Sequence, residues 1–307
     1  MPIKFNKIYN LRWVHITDIT DEDIEYLEEN FKFHPLDIKD CREGVQRPKL
    51  DIYSGYLFMI YHFPIYDERT RRVHVSSLNV FLGIDYLITL TTEPDKSLND
   101  YFARMQKKVK RGFKFDELKN NPAYLLYKII DMRYRQSFSV INVVAEQLSV
   151  VEEEVYSSRN KAATTNLAII RRNILNLRRL LEPQIKMIDR LVHLKGQLIP
   201  DRLSVYYDDV HDYIENTWAA FEGYRDTVDG LYSTNESMIN QKTNEVIKTL
   251  TLISVALLPM TLVASIYGMN VEGLPFADHP IGLWVVFVLM GCIVLTSIYF
   301  ARRNNMI

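Results

Sequence analysis

The sequence predicts an α+β body followed by long helices and two C-terminal membrane helices, and three observations carry that expectation. No charged side chain occurs from Thr249 to Val271 or from Ile281 to Ala301. At 1.5 Å per residue, about 20 apolar residues cross a hydrocarbon core roughly 30 Å thick. β-Branched and aromatic runs separated by turn residues fill about the first hundred positions. From about Pro122 strand character disappears and helical spacing takes over.

The α/β body is expected over 1–120, with a small sheet. Its strands are read at WVHIT from Trp13, YLFMIYHF from Tyr56, VSSLNVFLGI from Val75 and YLITLT from Tyr86, and short helices at Asp21–Asn30 and Pro35–Arg42. An antiparallel pair of long helices follows within 121–202, over Pro122–Arg159 and Thr164–Lys195, with Pro183 expected to kink the second. Arg171, Arg172, Arg178 and Arg179 read as a solvated face of that pair.

Residues 203–270 read as one stalk and membrane helix. Leu203, Tyr207, Val210, Ile214, Thr217, Phe221, Tyr224, Val228, Leu231, Asn235 and Met238 alternate spacings of four and three, as in coiled coils. Such a helix would be on the order of 100 Å long. The membrane span is expected at about 249–269, a loop at 271–280, a second span at 281–301 and a basic tail at 302–307.

Composition bounds the partners. The chain has 307 residues, 48% hydrophobic and 24% charged, long enough for more than one core. A net charge of -1 argues against nucleic acid as a partner. MPIKFNKIYN contains no continuous apolar stretch, so no signal peptide is expected and the body is expected in the cytoplasm. Lys242, Lys248, Arg302 and Arg303 flank the hairpin, whereas the loop holds Glu272 and Asp278 but no Lys or Arg. The positive-inside rule then puts both termini in the cytoplasm of a multi-pass plasma-membrane protein. Cys41 and Cys292 are too few for a disulfide framework or a zinc site. No H-E-x-x-H, G-x-S-x-G or phosphate-binding glycine loop occurs, so the protein is expected not to be an enzyme.

Two stretches carry chemistry. Thr251, Ser254, Leu258, Thr261, Ser265 and Gly268 share one helical face. A small hydroxylated stripe in a membrane helix is either a close-packing seam or the wall of a wet pore, and on the stripe alone packing is favoured. YYDDVHDY, from Tyr206 to Tyr213, holds carboxylates that suit a hard cation, while His211 with Asp208 and Asp212 suits zinc. A solvated helix face is the commoner reading of such a pattern.

Tyr267, Gly268, Met269 and Asn270 stand at the end of the first apolar run, and here the chain resembles the CorA family of magnesium channels. The match extends through Lys242, Thr243, Asn244, Glu245, Val246, Pro259 and Thr261, and through His34, Pro35, Leu36, Asp40, Gln46, Arg47, Pro48 and Lys49. The resemblance implies a funnel-shaped homopentamer in a lipid bilayer, conducting Mg2+ passively into the cytoplasm, with Co2+ and Ni2+ as secondary divalent cations. It implies a selectivity filter of Gly268, Met269 and Asn270, and a pore lined by Asn244, Ile247, Leu250, Leu258, Thr261 and Ser265. Relatives often carry Met at Leu258 and Gly at Ser265. A ring of Asn270 amides suits an ion that keeps its waters, as Mg2+ does. Asp40 and Asp209 match carboxylates that share a regulatory Mg2+ between subunits, with Asp208 and Asp212 as helpers. The external loop departs from the family's best-known branch, and Glu272 and Asp278 are expected to supply outer negative charge. The alternatives are a Zn2+ transporter of the related ZntB branch, whose tripeptide usually has Ile at Met269, or a membrane-tethered scaffold or sensor.

Overall fold

A computed structural model describes residues 4–8, 11–44, 46–111, 120–157, 163–194, 196, 198–269 and 281–303. The chain divides into two compact units, Met1–Tyr232 and Ser233–Ile307.

Turn chemistry and period-two patterning organise the first unit. Strands β1 (Lys4–Ile8), β2 (Leu11–Thr17), β3 (Lys49–Ile52), β4 (Tyr56–Asp67), β5 (Arg72–Gly83) and β6 (Tyr86–Thr91) form one sheet in the order β1-β2-β6-β5-β4-β3. Among the described strands only β2 and β6 are parallel neighbours. The β4–β5 hairpin turns on Asp67, whose carboxylate accepts from the Arg69 N–H at 2.9 Å and the Thr70 hydroxyl at 2.7 Å. At the other end of β5 the backbone passes so close to Tyr86 that a Cβ on Gly83 would lie 2.3 Å from its ring, and only glycine fits.

Successive residues in a strand point to opposite faces, so each strand feeds two cores. Leu57, Met59, Tyr61 and Phe63 of β4 join Leu78, Val80 and Leu82 of β5 and Trp13 of β2 on one face. Phe58, Ile60, Phe81, Val14 and Ile16 face the other way. The second face is covered by α1 (Asp21–Asn30) and α2 (Pro35–Glu43). Thr20 and Asp23 form a capping box that starts α1, and Pro35 with the His34 imidazole starts α2. The first face is covered by α3 (Lys96–Lys110), α4 (Pro122–Ser157) and α5 (Ala163–Val192), with the start of α6 (Ser204–Gly268). Asp95 caps α3 at Leu98 N–H and is itself gripped by Arg133 of α4 at 2.8 Å. The α5 helix is continuous through Pro183.

The sequence reading anticipated the helices α1, α2, α4, α5 and α6 and the four longer strands; β1, β3 and α3 are additions, and the sheet has six strands. The second unit holds the rest of α6 and α7 (Gly282–Arg303).

Candidate functional site

The long helix α6 begins after a 3-10 turn at Asp201–Leu203 and runs for 65 residues. Its predicted four-three stripe is buried at Leu203, Tyr207, Val210, Ile214, Thr217, Phe221, Val228 and Leu231, and half-buried at Tyr224, Asn235 and Met238. Tyr207, Val210 and Ile214 share a core with Ile130 and Tyr134 of α4 and Ile188 and Leu191 of α5. The Tyr207 hydroxyl also donates to the Ala123 carbonyl at 2.8 Å, in the first turn of α4. A coiled-coil-like seam is thus present, and these three residues use it against this chain's own helices.

From Ile239 to Thr251 every residue of α6 is exposed. Asn244, Ile247, Leu250, Leu258, Thr261 and Ser265 are all exposed in the chain, as are Gly268 and Met269. Leu250 and Leu258 are 63% and 68% exposed, a fraction that water would penalise and a bilayer or a neighbouring chain would not. Among the described residues one helix is long and apolar enough to cross a membrane, and it is this one; α7 carries a shorter apolar stretch, Gly282–Ser297. Asn270, Glu272 and Asp278 lie outside the described residues.

Helix geometry dictates what this face offers. The Ser254 hydroxyl donates to the Leu250 carbonyl at 3.0 Å, and the Thr261 hydroxyl donates to the Leu257 carbonyl at 2.7 Å. Each hydrogen is spent within the helix, which makes the side chain tolerable in hydrocarbon and leaves oxygen lone pairs outward. Pro259 lies inside the same helix without a break and withdraws the amide that would bond the Val255 carbonyl.

Asp40 sits half-buried on α2, three residues after the buried Asp37. The Lys49 ammonium lies between them and β3: 2.6 Å from Asp40 Oδ2, 2.5 Å from Asp51 Oδ2 and 3.9 Å from Asp37 Oδ1. Its nitrogen also stands 5.0 Å from the Phe58 ring centre. Burial works to lower the Lys49 pKa, but the carboxylates of Asp40 and Asp51 outweigh it and hold it up at about 12. Asp37 is raised by burial, against the hydrogen bonds it accepts from Tyr56 at 2.8 Å and Tyr53 at 3.1 Å. The family resemblance drew attention to Asp40, and the sequence reading did not anticipate the cluster of Asp37, Lys49 and Asp51 around it.

Asp209 is exposed on α6, 3.9 Å from Arg135 Nη2, while Arg135 donates to Asp131 at 2.7 Å and stacks 5.2 Å from the Tyr213 ring. Asp208 and Asp212 are exposed. His211 Nε2 instead approaches Asp189 at 3.8 Å and Glu215 at 3.7 Å. Among the described residues no three His, Cys, Asp or Glu side chains gather so as to hold a metal ion within one chain. His211 thus stands nearer to Asp189 and Glu215 than to a grouping with Asp208 and Asp212.

A body of this α/β plan, whose longest helix runs on into an apolar segment of membrane-crossing length, has the build of a membrane protein with a large soluble part. The chain belongs to the CorA-like Mg2+ transporter protein family, which it matches over residues 10–303. It is 29% identical over 296 residues to the cobalt/magnesium transport protein CorA of Thermotoga maritima, covering 95% of this chain and 82% of that one. In fold it resembles the complete CorA magnesium transporter of Methanocaldococcus jannaschii, with a TM-score of 0.78 at 20% identity over 98% of this chain and 93% of that one. Full-length CmaX gives a TM-score of 0.76 at 22% identity over 96% and 88% of the two chains. The family is one of transporters, not enzymes.

Proposed function

We propose that this chain is a divalent-cation channel that admits Mg2+ to the cytoplasm as a homopentamer, with both termini inside the plasma membrane and α6 and α7 as its two spans. The observation that carries the reading is the exposed face of α6, where Asn244, Ile247, Leu250, Leu258, Thr261 and Ser265 follow one another on one side of an unbroken helix. One such helix encloses nothing; several around an axis enclose a path, and cyclic symmetry is the usual arrangement. Family membership and relatives named for magnesium and cobalt transport support the ion class.

In this reading Gly268, Met269 and Asn270 form the outer filter. Amides there hold Mg2+ through its waters, which this small ion gives up reluctantly. Ile247, Leu250 and Leu258 form apolar rings that close by dewetting. Asp40 of one subunit and Asp209 of the next share a regulatory Mg2+, assisted by Asp208 and Asp212, so that internal Mg2+ closes the channel. Glu272 and Asp278 concentrate cations outside. Purified protein in liposomes should pass Mg2+, and Co2+ and Ni2+ less readily, without a proton gradient. Proton-coupled Zn2+ flux would favour the ZntB-like alternative, and flux of no ion would favour a tethered scaffold.

A further inference from the structure

Asp40 already has a cation, and it is tethered to the same chain. Lys49 Nζ bonds Asp40 at 2.6 Å and Asp51 at 2.5 Å, while Asp37, at 3.9 Å, has both oxygens committed to Tyr53 and Tyr56. Asp40 and Asp51 are therefore the two carboxylates that compete for one ammonium. We propose that Lys49 is a built-in competitor for the divalent cation at Asp40, and that ion binding there is an exchange in which the ammonium leaves Asp40 and stays on Asp51.

The inference rests on the reading of Asp40 as a regulatory carboxylate and specifies how its affinity is set. Asp51 lies two residues from Lys49 on the same face of β3, so the ammonium keeps a hydrogen-bonded partner after release. Without that second partner, displacement would strand a partly buried charge. Asp40 is 21% exposed at its side chain and Lys49 32%, so an ion can reach the carboxylate from solvent while the lysine stem stays packed on Phe58. Because Lys49 stays charged throughout the neutral range, the exchange trades charge for charge and moves no proton.

Two substitutions should act in opposite directions. Lys49→Met removes the competitor, and the Mg2+ midpoint for protecting the full-length protein against limited proteolysis should fall about tenfold, the scale of one charge-assisted hydrogen bond. Asp51→Asn removes the resting place, binds Lys49 more firmly to Asp40 and should raise that midpoint by about threefold. Asp51→Asn also keeps the test decisive if Lys49→Met does not fold. Shifts in the same direction, or none, in variants beside an Asp40→Asn that abolishes the Mg2+ response would overturn the competitor and leave the regulatory reading standing. A Mg2+ response that survives Asp40→Asn would overturn both.

Discussion

Gln184 closes both ends of its amide on the backbone of one residue, His62: Oε1 accepts from the His62 N–H at 3.1 Å, and Nε2 donates to the His62 carbonyl at 2.7 Å. The reason lies in the sheet. β3 pairs with β4 only from Leu57 to Ile60, so the outer edge of β4 beyond that point needs another source of hydrogen bonds. Asn173, on the same helix, does likewise for the hairpin, accepting from Val73 N–H at 3.1 Å and donating to the Arg71 carbonyl at 2.9 Å. Side chains of α5 thus stand where a further strand would.

Gln184→Leu should therefore be costly despite preserving bulk. It leaves a buried N–H and a buried carbonyl unpaired, for a loss of about 2 to 4 kcal/mol. Thermal unfolding of the purified protein should show a clearly lowered midpoint; an unchanged midpoint would mean that water replaces the amide.

The His62 side chain makes a separate prediction about pH. Burial lowers its pKa from the usual 6.5, against a raising hydrogen bond with the Gln46 backbone, and among the described residues Nε2 meets no hydrogen-bond partner. An unfolded histidine takes a proton that the folded one refuses, so its contribution is complete above about pH 6.5 and declines as pH falls through the folded value. Between about pH 7 and pH 5 the wild type should lose more thermal stability than His62→Gln. Equal slopes would assign the acid sensitivity to other groups.

How much of this was legible beforehand differs by kind of interaction. The β-branched and aromatic runs of β4 and β5 are local signals, and they marked their elements. α3 offered Leu98, Phe102 and Met105 at helical spacing behind Asp95, but a lysine-rich face obscured it. The stripe from Leu203 announced a buried face without naming its partner, since periodicity records that a face is covered and not by what. The grip of Lys49 on Asp40 joins a helix to a strand, and no spacing rule within either one reveals it.

At the outer mouth, Asn270→Ala should abolish selection of Mg2+ over monovalent ions and leave the oligomer intact. The substitution removes a water-binding amide and little packing. Flux in liposomes beside a size measurement of the purified protein decides it; an Asn270→Ala channel that still selects Mg2+ would reduce the residue to a helix cap.

Gating can be tested at Asp40 and Asp209. Two bare carboxylates a few Å apart repel by on the order of 1 to 4 kcal/mol. In the proposed pairing of Asp40 with a neighbouring Asp209, Lys49 and Arg135 would each offset part of that charge, so the repulsion per site would fall toward the lower end. Summed over the subunits of a ring, this is still comparable to a closed-to-open gap of a few kcal/mol. Asp40→Lys and Asp209→Lys, singly and together, should weaken or remove the dependence of flux on internal Mg2+. Wild-type dependence in all three would move the sensor to Asp208, Asp212 or elsewhere.

The inward-turned hydroxyls of Ser254 and Thr261 have one more consequence. An anion in a narrow passage must find hydrogens to replace those of its shed water, and a hydroxyl that has given its own to the helix has none left. In the proposed pore, chloride would meet only lone pairs at these hydroxyls, whereas a cation, bare or wrapped in water, would meet what it needs. The sign of the permeating ion would then be read from the direction of a bond rather than from a fixed charge. Discrimination of that kind should survive high salt, where rings of acidic side chains lose their hold.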